Sequence, residues 1–278
     1  MKLIHISDIH INPSPVCDLD PVANFLICLR HVETNHPDAD RIVITGDLTH
    51  HGNRESYLML AEILETSKLI GDRAPRLLIG NHDDRETFAS VFADTPRDPH
   101  GFIQWSEDTP AGVFIYMDTN EPGTHAGHYC ASRRNWLDGE LSAARASQKP
   151  AYLFLHHNPL PVRVANADQI GIVQEHELQE LLLAHRDTIR HIFFGHCHYT
   201  LSGTVKGIPY SAPRSTNHTC WPDFSGIANR MGYGDLQPNY NVCFIDDSDT
   251  VIHSIDFLDE HKVLWQIEDE HGKPVKAV

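Results

Sequence analysis

Five short apolar runs in this chain each lead to Asp, Asn or His, and helix-patterned stretches separate most of them. The runs are residues 2–7 (KLIHIS), Arg41–Thr45 (RIVIT), 76–79 (RLLI), 151–155 (AYLFL) and 191–194 (HIFF). Short apolar runs bounded by polar loops read as strands. Asp20-Pro21 opens the helix VANFLICLRHVE, with Asp as N-cap and Pro at the first helical position. Asn53 starts a second helix expected to run until Gly71 stops it, and further helices are expected over 84–92, 132–146 and 174–186. Strands alternating with helices predict a parallel, layered α/β sheet. Residues 102–119 read instead as a hairpin around Thr109-Pro110. After the fifth run the helices stop. Residues 199–210 and 241–267 read as antiparallel strands, and 211–240 as a long loop of a functional or interfacial kind.

The polar residues after each run carry the chemistry. They are Asp8 and His10, then Gly46-Asp47, then Gly80-Asn81-His82-Asp83, then His156-His157, then Gly195-His196-Cys197-His198. Ligands of open α/β sheets bind at the carboxyl ends of the strands, so five loops deliver these groups to one edge. Capping or packing explains one such coincidence, not five. Imidazole and carboxylate donors suit Mn, Fe, Zn or Co. Cys197 alternates away from its histidine neighbours and reads as packing. Seven donors are too many for one tetrahedral ion and fit two ions that share a carboxylate. Such a pair would make the site positive within a chain of 22 Lys+Arg, 38 Asp+Glu and formal charge −16. That acidic balance argues against a nucleic-acid polymer as partner, and it leaves room for a small phosphate ester. The residues read as a binuclear metal hydrolase.

No apolar run approaches the ~20 residues of a membrane span, and Met1-Lys2-Leu3 leads straight into the first strand, so neither an anchor nor a signal segment is expected. The six scattered cysteines contain no C-x-x-C and read as reduced thiols, with a Cys220–Cys243 pairing left open. The expected location is the cytoplasm.

Asp8-x-His10, Gly46-Asp47, Gly80-Asn81-His82-Asp83, His156 and Gly195-His196-Cys197-His198, in this order, resemble the five-block signature of the calcineurin-like metallophosphoesterases. Gly46-Asp47-Leu48-Thr49-x-x-Gly52, Tyr57 and His156-His157-Asn158-Pro159 are similar to bacterial class III cyclic-nucleotide phosphodiesterases and the related glycerophosphodiesterases. The stretch Leu48-Thr49-His50-His51-Gly52 lacks the Arg-Gly pair of the superfamily's protein phosphatases. The resemblance implies a four-layer α/β/β/α sandwich with a β-rich C-terminal part. Its catalytic core would cover residues 1–210, and residues 211–278 would add a loop and a β-rich extension.

It also implies the roles. Asp8, His10 and His198 would hold one divalent ion, Asn81, His156 and His196 the other, and Asp47 would bridge them, with Mn or Fe favoured over Zn or Co. His82 would face the substrate, with Asp83 orienting its ring. The implied reaction is in-line attack on phosphorus of a small diester, a 3′,5′-cyclic nucleotide or a glycerophosphodiester, by a metal-bridging hydroxide. In the 211–240 loop, Arg214, His218 and Trp221 are candidate substrate contacts, and oligomer contact is an equal reading of the same loop. A homo-oligomer, dimer or larger, is expected.

Alternatives stand beside these assignments. A phosphomonoesterase or nucleotide pyrophosphohydrolase would use the same metals, and an inactive protein-binding scaffold would have lost ligands. Asn81 also suits a helix N-cap. His5 reads as a satisfied core residue, His157 as a wall or outer group, and His50 and His51 as either cavity lining or solvated loop.

Overall fold

The computed structural model describes residues 1–234, 236–258, 266–268 and 274–277. In chain order the first elements are β1 (Lys2–Ile6), α1 (Pro21–Asn35), β2 (Arg41–Thr45), α2 (Arg54–Thr66), β3 (Arg76–Leu78) and α3 (Arg85–Val91). Next come β4 (Trp105–Thr109), β5 (Gly112–Tyr116), α4 (Ala131–Ala146), β6 (Ala151–Phe154), α5 (Ala165–Gln169), α6 (Glu175–Ala184) and β7 (Ile189–Phe193). Strands follow: β8 (Leu201–Val205), β9 (Ile208–Ala212), β10 (Thr219–Trp221), β11 (Gly232–Gly234), β12 (Asn239–Ile245), β13 (Thr250–Asp256), β14 (Gln266–Glu268) and β15 (Pro274–Ala277).

Two large sheets form, in the orders β13-β12-β1-β2-β3 and β4-β5-β6-β7-β9-β8, beside the two-stranded pairs β10-β11 and β14-β15. The runs β1-β2-β3 and β5-β6-β7 are parallel within their sheets. Period-two alternation then assigns each side chain to a layer. Leu3, Val43, Leu78, Phe114, Tyr116, Tyr152, Phe154 and Phe193 meet between the sheets. Their neighbours Ile4, Ile42, Ile44 and Leu77 face Phe25, Leu29 and Leu60 of α1 and α2. On the other side Ile115, Leu153 and Ile192 face Leu137, Leu141 and Leu178 of α4 and α6. The four layers α/β/β/α follow directly from this division. Stacked rings tie the inner layer across three strands, Tyr116 on Phe154 at 5.2 Å and Phe154 on Phe193 at 4.9 Å. His5 reaches into this layer edge-on to Phe193, with Nε2 2.8 Å from Thr45 Oγ1. It is a core histidine as expected, but only half satisfied, since its buried Nδ1 has no hydrogen-bond partner among the described residues.

Caps fix the helix starts. Asp20 accepts from the backbone of Val22 and Ala23, Asn53 from Ser56, and Asp84 from Thr87. Asp84 therefore caps α3, and Asn81 is not a cap. Gly71 does not stop α2, which ends at Thr66. The hydroxyls of Thr66 and Ser67 satisfy the carbonyls of Glu62 and Leu64 there, and Gly71 opens a separate 3-10 turn. The loop expected over 211–240 contains the ribbon β10–β11, and α5 was not anticipated. Strand β12 inserts beside β1 in the first sheet, so the C-terminal stretch completes that sheet. The strands expected over 241–267 are β12, β13 and part of β14, while 259–265 lie outside the described residues. All six cysteines are free, and Cys243 lies in the inter-sheet layer. Among the described residues no helix is long and apolar enough to cross a membrane.

One ion-pair cluster joins the two sheets at their β3 and β4 edges. Glu107 accepts from Arg41 at 2.7 Å and from Arg76 at 3.0 Å. Burial alone would raise the Glu107 carboxyl, but the Arg76 and Arg41 guanidiniums hold it below its ordinary 4.5. A carboxyl depressed in the folded state adds stability above its unfolded pKa and loses it as pH falls through the folded value. Glu107→Gln is therefore expected to be about 2 kcal/mol less stable at pH 7. Paired chemical denaturation curves should show that difference closing in acid, below about pH 4.5.

Candidate metal centre

The carboxyl ends of β1, β2, β3, β6 and β7 converge, and all seven expected donors meet there. His198 Nε2 lies 3.2 Å from Asp8 Oδ1 and 3.2 Å from His10 Nε2. His10 Nε2 is 3.6 Å from Asp47 Oδ2. On the other side of Asp47, His156 Nε2 is 3.3 Å from Oδ1 and 3.1 Å from Asn81 Oδ1. The Asp8, His10, Asp47 and His198 donor atoms all lie within 4.8 Å of one another. His196 completes the cluster from β7, with its ring 5.1 Å from that of His156.

The backbone is held against its preferences to achieve this. Asp8 (φ 55°), His10 (48°), Asp47 (47°), His196 (67°) and His198 (56°) all adopt the left-handed conformation. It costs a residue with a side chain about 1–2 kcal/mol, and clustering of such residues marks functional sites. The strand-terminal glycines allow the close approach. A Cβ on Gly46 would fall 2.5 Å from His156 Nδ1, and one on Gly80 would strike the Asp47 carboxylate.

The electrostatics are those of a cation site. His156 Nδ1–H donates to the Thr45 carbonyl at 2.7 Å, and His198 Nδ1–H to the His218 carbonyl at 2.8 Å. A carbonyl on Nδ1 fixes the tautomer and turns the Nε2 lone pair inward, as in metal-bound histidines. Each inward Nε2 meets a carboxylate, which leaves a lone pair against negative oxygen unless a proton or a metal ion lies between them. Burial would lower both imidazoles, yet the Asp47 carboxylate pushes His156 up to about 9. The Asp8 carboxylate likewise holds His198 well above the ordinary range. His196 is lowered to about 3 by burial and the His156 charge, and its buried Nε2 has no hydrogen-bond partner among the described residues. This donor set fits divalent cations of the Mn, Fe, Co and Zn kind.

The calcineurin-like phosphoesterase family model matches residues 1–200. The chain belongs to that family. A probable cyclic nucleotide phosphodiesterase of Rhodopseudomonas palustris is 31% identical over 263 residues, 93% of each chain. The glycerophosphodiester phosphodiesterase GpdQ of Enterobacter lignolyticus is 29% identical over 230 residues, covering 76% of this chain and 80% of its own. A dimetal phosphatase from Danio rerio shares the fold at TM-score 0.68 and 12% identity, covering 91% of this chain and 95% of its own.

Around the donors of this phosphoesterase the expectations divide. His82 lines the cavity, its backbone N–H donates to Asp47 Oδ1 at 2.8 Å, and its Nδ1 meets the His50 carbonyl at 2.8 Å. Asp83 does not orient that ring. Its carboxylate is taken up by the backbone N–H groups of Leu48, Thr49 and Gly80 and by the Tyr57 hydroxyl at 2.9 Å. Asp83 thus ties the Asp47 loop to the Asn81 loop, and the ring of His82 is set by His50.

Arg214 lies away from this cavity, and its guanidinium is paired with Asp256. His218 and Trp221 both line it. The His218 ring covers the donors, 4.4 Å from that of His198 and 4.8 Å from that of His10. His50 reaches within 3.3 Å of His10 Nδ1, so it is part of the site. His157 is a wall, with one ring nitrogen on Thr119 Oγ1 and the other on the His125 carbonyl. Cys197 packs in the core cluster as expected, and it also borders the cavity.

Sequence reasoning passed over Asp118, Asn120 and His125. Asn120 Nδ2 donates to the carbonyls of Gly80 and Asp83, and Asp118 takes both arms of Arg85. The signal was present, because β5 also runs into polar residues, Asp118-Thr119-Asn120, at the same sheet edge.

Proposed function

We propose that the chain is a binuclear metal-dependent phosphodiesterase acting on a small diester, a 3′,5′-cyclic nucleotide or a glycerophosphodiester. The observation that carries this is the pair His156 and His198, each with Nδ1 on a carbonyl and Nε2 against a carboxylate. In this reading Asp8, His10, Asp47 and His198 hold one ion, and Asp47, Asn81, His156 and His196 hold the other. When bound, divalent ions offset the charge of the phosphoryl oxygens and lower the pKa of water at the site. His82 contributes through Nε2. The His50 carbonyl takes up Nδ1–H, so it is the doubly protonated ring that presents Nε2–H, to polarise a phosphoryl oxygen or to pass that proton to the departing ester oxygen and leave a neutral ring.

The cavity favours a diester over a monoester. It encloses about 500 Å³, and among the described residues its one fixed cation is Arg230, which pairs with Asp223 at 3.6 Å. A dianionic monoester would want more positive charge than that, whereas a monoanionic diester needs less. Trp221 and Tyr233 supply rings at the cavity wall on which the organic part of a diester can rest. The names of the two relatives, one a cyclic nucleotide phosphodiesterase and one a glycerophosphodiester phosphodiesterase, support both diester classes. All seven donor positions and His82 are filled, which speaks against an inactive scaffold. The exposed apolar side chains Trp221, Phe224, Ile227, Met231 and Tyr233 support association into a homo-oligomer. A cytoplasmic location completes the reading.

The test is hydrolysis of bis(p-nitrophenyl) phosphate beside p-nitrophenyl phosphate by metal-stripped protein refilled with Mn. Faster diester cleavage that chelator abolishes is expected. A monoester preference would overturn the assignment.

A further inference from the structure

We propose that His125 is a positioning residue of this site, holding the side-chain amide of Asn81 in its one ligating orientation. The inference rests on Asn81 being a metal ligand. An Asn amide has nearly the same shape in its two flipped states, and only one of them turns oxygen toward a cation. Here Asn81 Oδ1 faces His156 Nε2 at 3.1 Å, and Asn81 Nδ2 faces His125 Nδ1 at 2.9 Å. An amide nitrogen only donates, so His125 Nδ1 is the acceptor and its proton is on Nε2. Flipping Asn81 would set its carbonyl against that acceptor lone pair and its N–H groups toward the donor cluster. His125 thus selects the oxygen-inward state.

This matters because Asn81 is the one neutral amide among the donors. Of the others, Asp8 and Asp47 present two like carboxylate oxygens whichever way they turn, and His156 and His198 are oriented by the carbonyls on their Nδ1. Asn81 has no such anchor at its own backbone strand, and its orientation is set from outside β3. The ring of His125 also lies 5.2 Å from that of His82, so one side chain touches both residues of the Asn81-His82 pair.

The segment bearing His125 is pinned independently of its side chain. The His125 carbonyl accepts from His157 Nε2 at 3.2 Å, Ala126 N donates to Thr124 Oγ1 at 3.0 Å, and Gly127 N donates to the Gly171 carbonyl at 3.1 Å. A Cβ on Gly127 would fall 2.5 Å from the His157 ring, so the chain can pass here only as glycine. Truncating the ring therefore removes the contact to Asn81 and keeps the backbone in place.

The experiment is calorimetric titration of metal-free protein with Mn²⁺ for wild type, His125→Ala, His125→Gln and Asn81→Ala. The His125 ring is solvent-exposed, which places the expected loss at the lower end of the range for residues that orient ligands. His125→Ala should weaken one of the two ion-binding steps about 10-fold and leave the other unchanged. His125→Gln, whose amide oxygen also accepts from Asn81 Nδ2, should restore most of that loss. Adding His125→Ala to Asn81→Ala should cost nothing further, as for residues acting through one another. Wild-type affinity at both steps in His125→Ala, or equal weakening of both, would overturn the proposal while Asn81→Ala still loses a step. If Asn81→Ala also binds two ions as wild type does, the ligand assignment fails and the role of His125 falls with it.

Discussion

Replacing Asp47 by Asn is expected to leave a folded protein that has lost diester hydrolysis by on the order of 10³-fold or more. Asn is the informative substitution because Asp47 holds a left-handed backbone, φ 47°, which Asn tolerates and most residues do not. Its side-chain oxygen can still accept from the His82 N–H that Asp47 Oδ1 now receives at 2.8 Å. What disappears is the negative charge between His10 and His156, 3.6 Å from the one Nε2 and 3.3 Å from the other. Without it His156 loses the partner that lifts it to about 9, and both proposed ion positions lose their common donor. Elemental analysis after metal loading should find less than the wild-type content. Full metal content and full activity in Asp47→Asn would remove Asp47 from the bridging position.

His82→Ala is expected to behave oppositely toward metal. Its N–H bond to Asp47 is made by the backbone, so the donor cluster keeps its geometry when the ring is gone. Loss of a positioned acid or polarising group lowers turnover about 10²–10⁴-fold. The deficit should grow as the leaving alcohol becomes less acidic, because a poor leaving group depends most on the proton it receives. Rates across a series of aryl and alkyl phosphodiesters, with metal content measured in parallel, separate the outcomes. A variant that loses an ion would show that His82 is a ligand and that its catalytic assignment is wrong.

The sheet core and the donor cluster were legible because both rest on short-range rules. An apolar run that ends in a polar residue of a metal-ligating kind, in three cases through a glycine, marks a buried parallel strand and its ligand-facing end, and five such runs converge here. What escaped depended on partners distant in sequence. Arg214 reads as a free cation until Asp256 is brought beside it from β13. Asp83 follows His82 directly, yet its hydrogen bonds run to Leu48, Thr49 and Tyr57, which only the fold brings near. His125 lies in a loop without any pattern, and its role appears only once Asn81 is seen between it and His156. Ribbon β10–β11 has three-residue strands, one of them Gly-Tyr-Gly, too short and too glycine-rich to show alternation. Helix α5 has five residues and no side-chain cap, so it too leaves no period to read.

Metal titration of the stripped protein at pH 7, in two buffers of different ionisation enthalpy, tests the central claim most directly. In the metal-free protein His156, pushed up to about 9 beside Asp47, and His198, held well above its ordinary range beside Asp8, are expected to be protonated. Ligand nitrogens must give up that proton to bind an ion. The predicted result is two ions per chain with net release of protons, so that the binding enthalpy differs between the two buffers. Binding of fewer than two ions, or of two ions with no dependence on the buffer, would contradict the account.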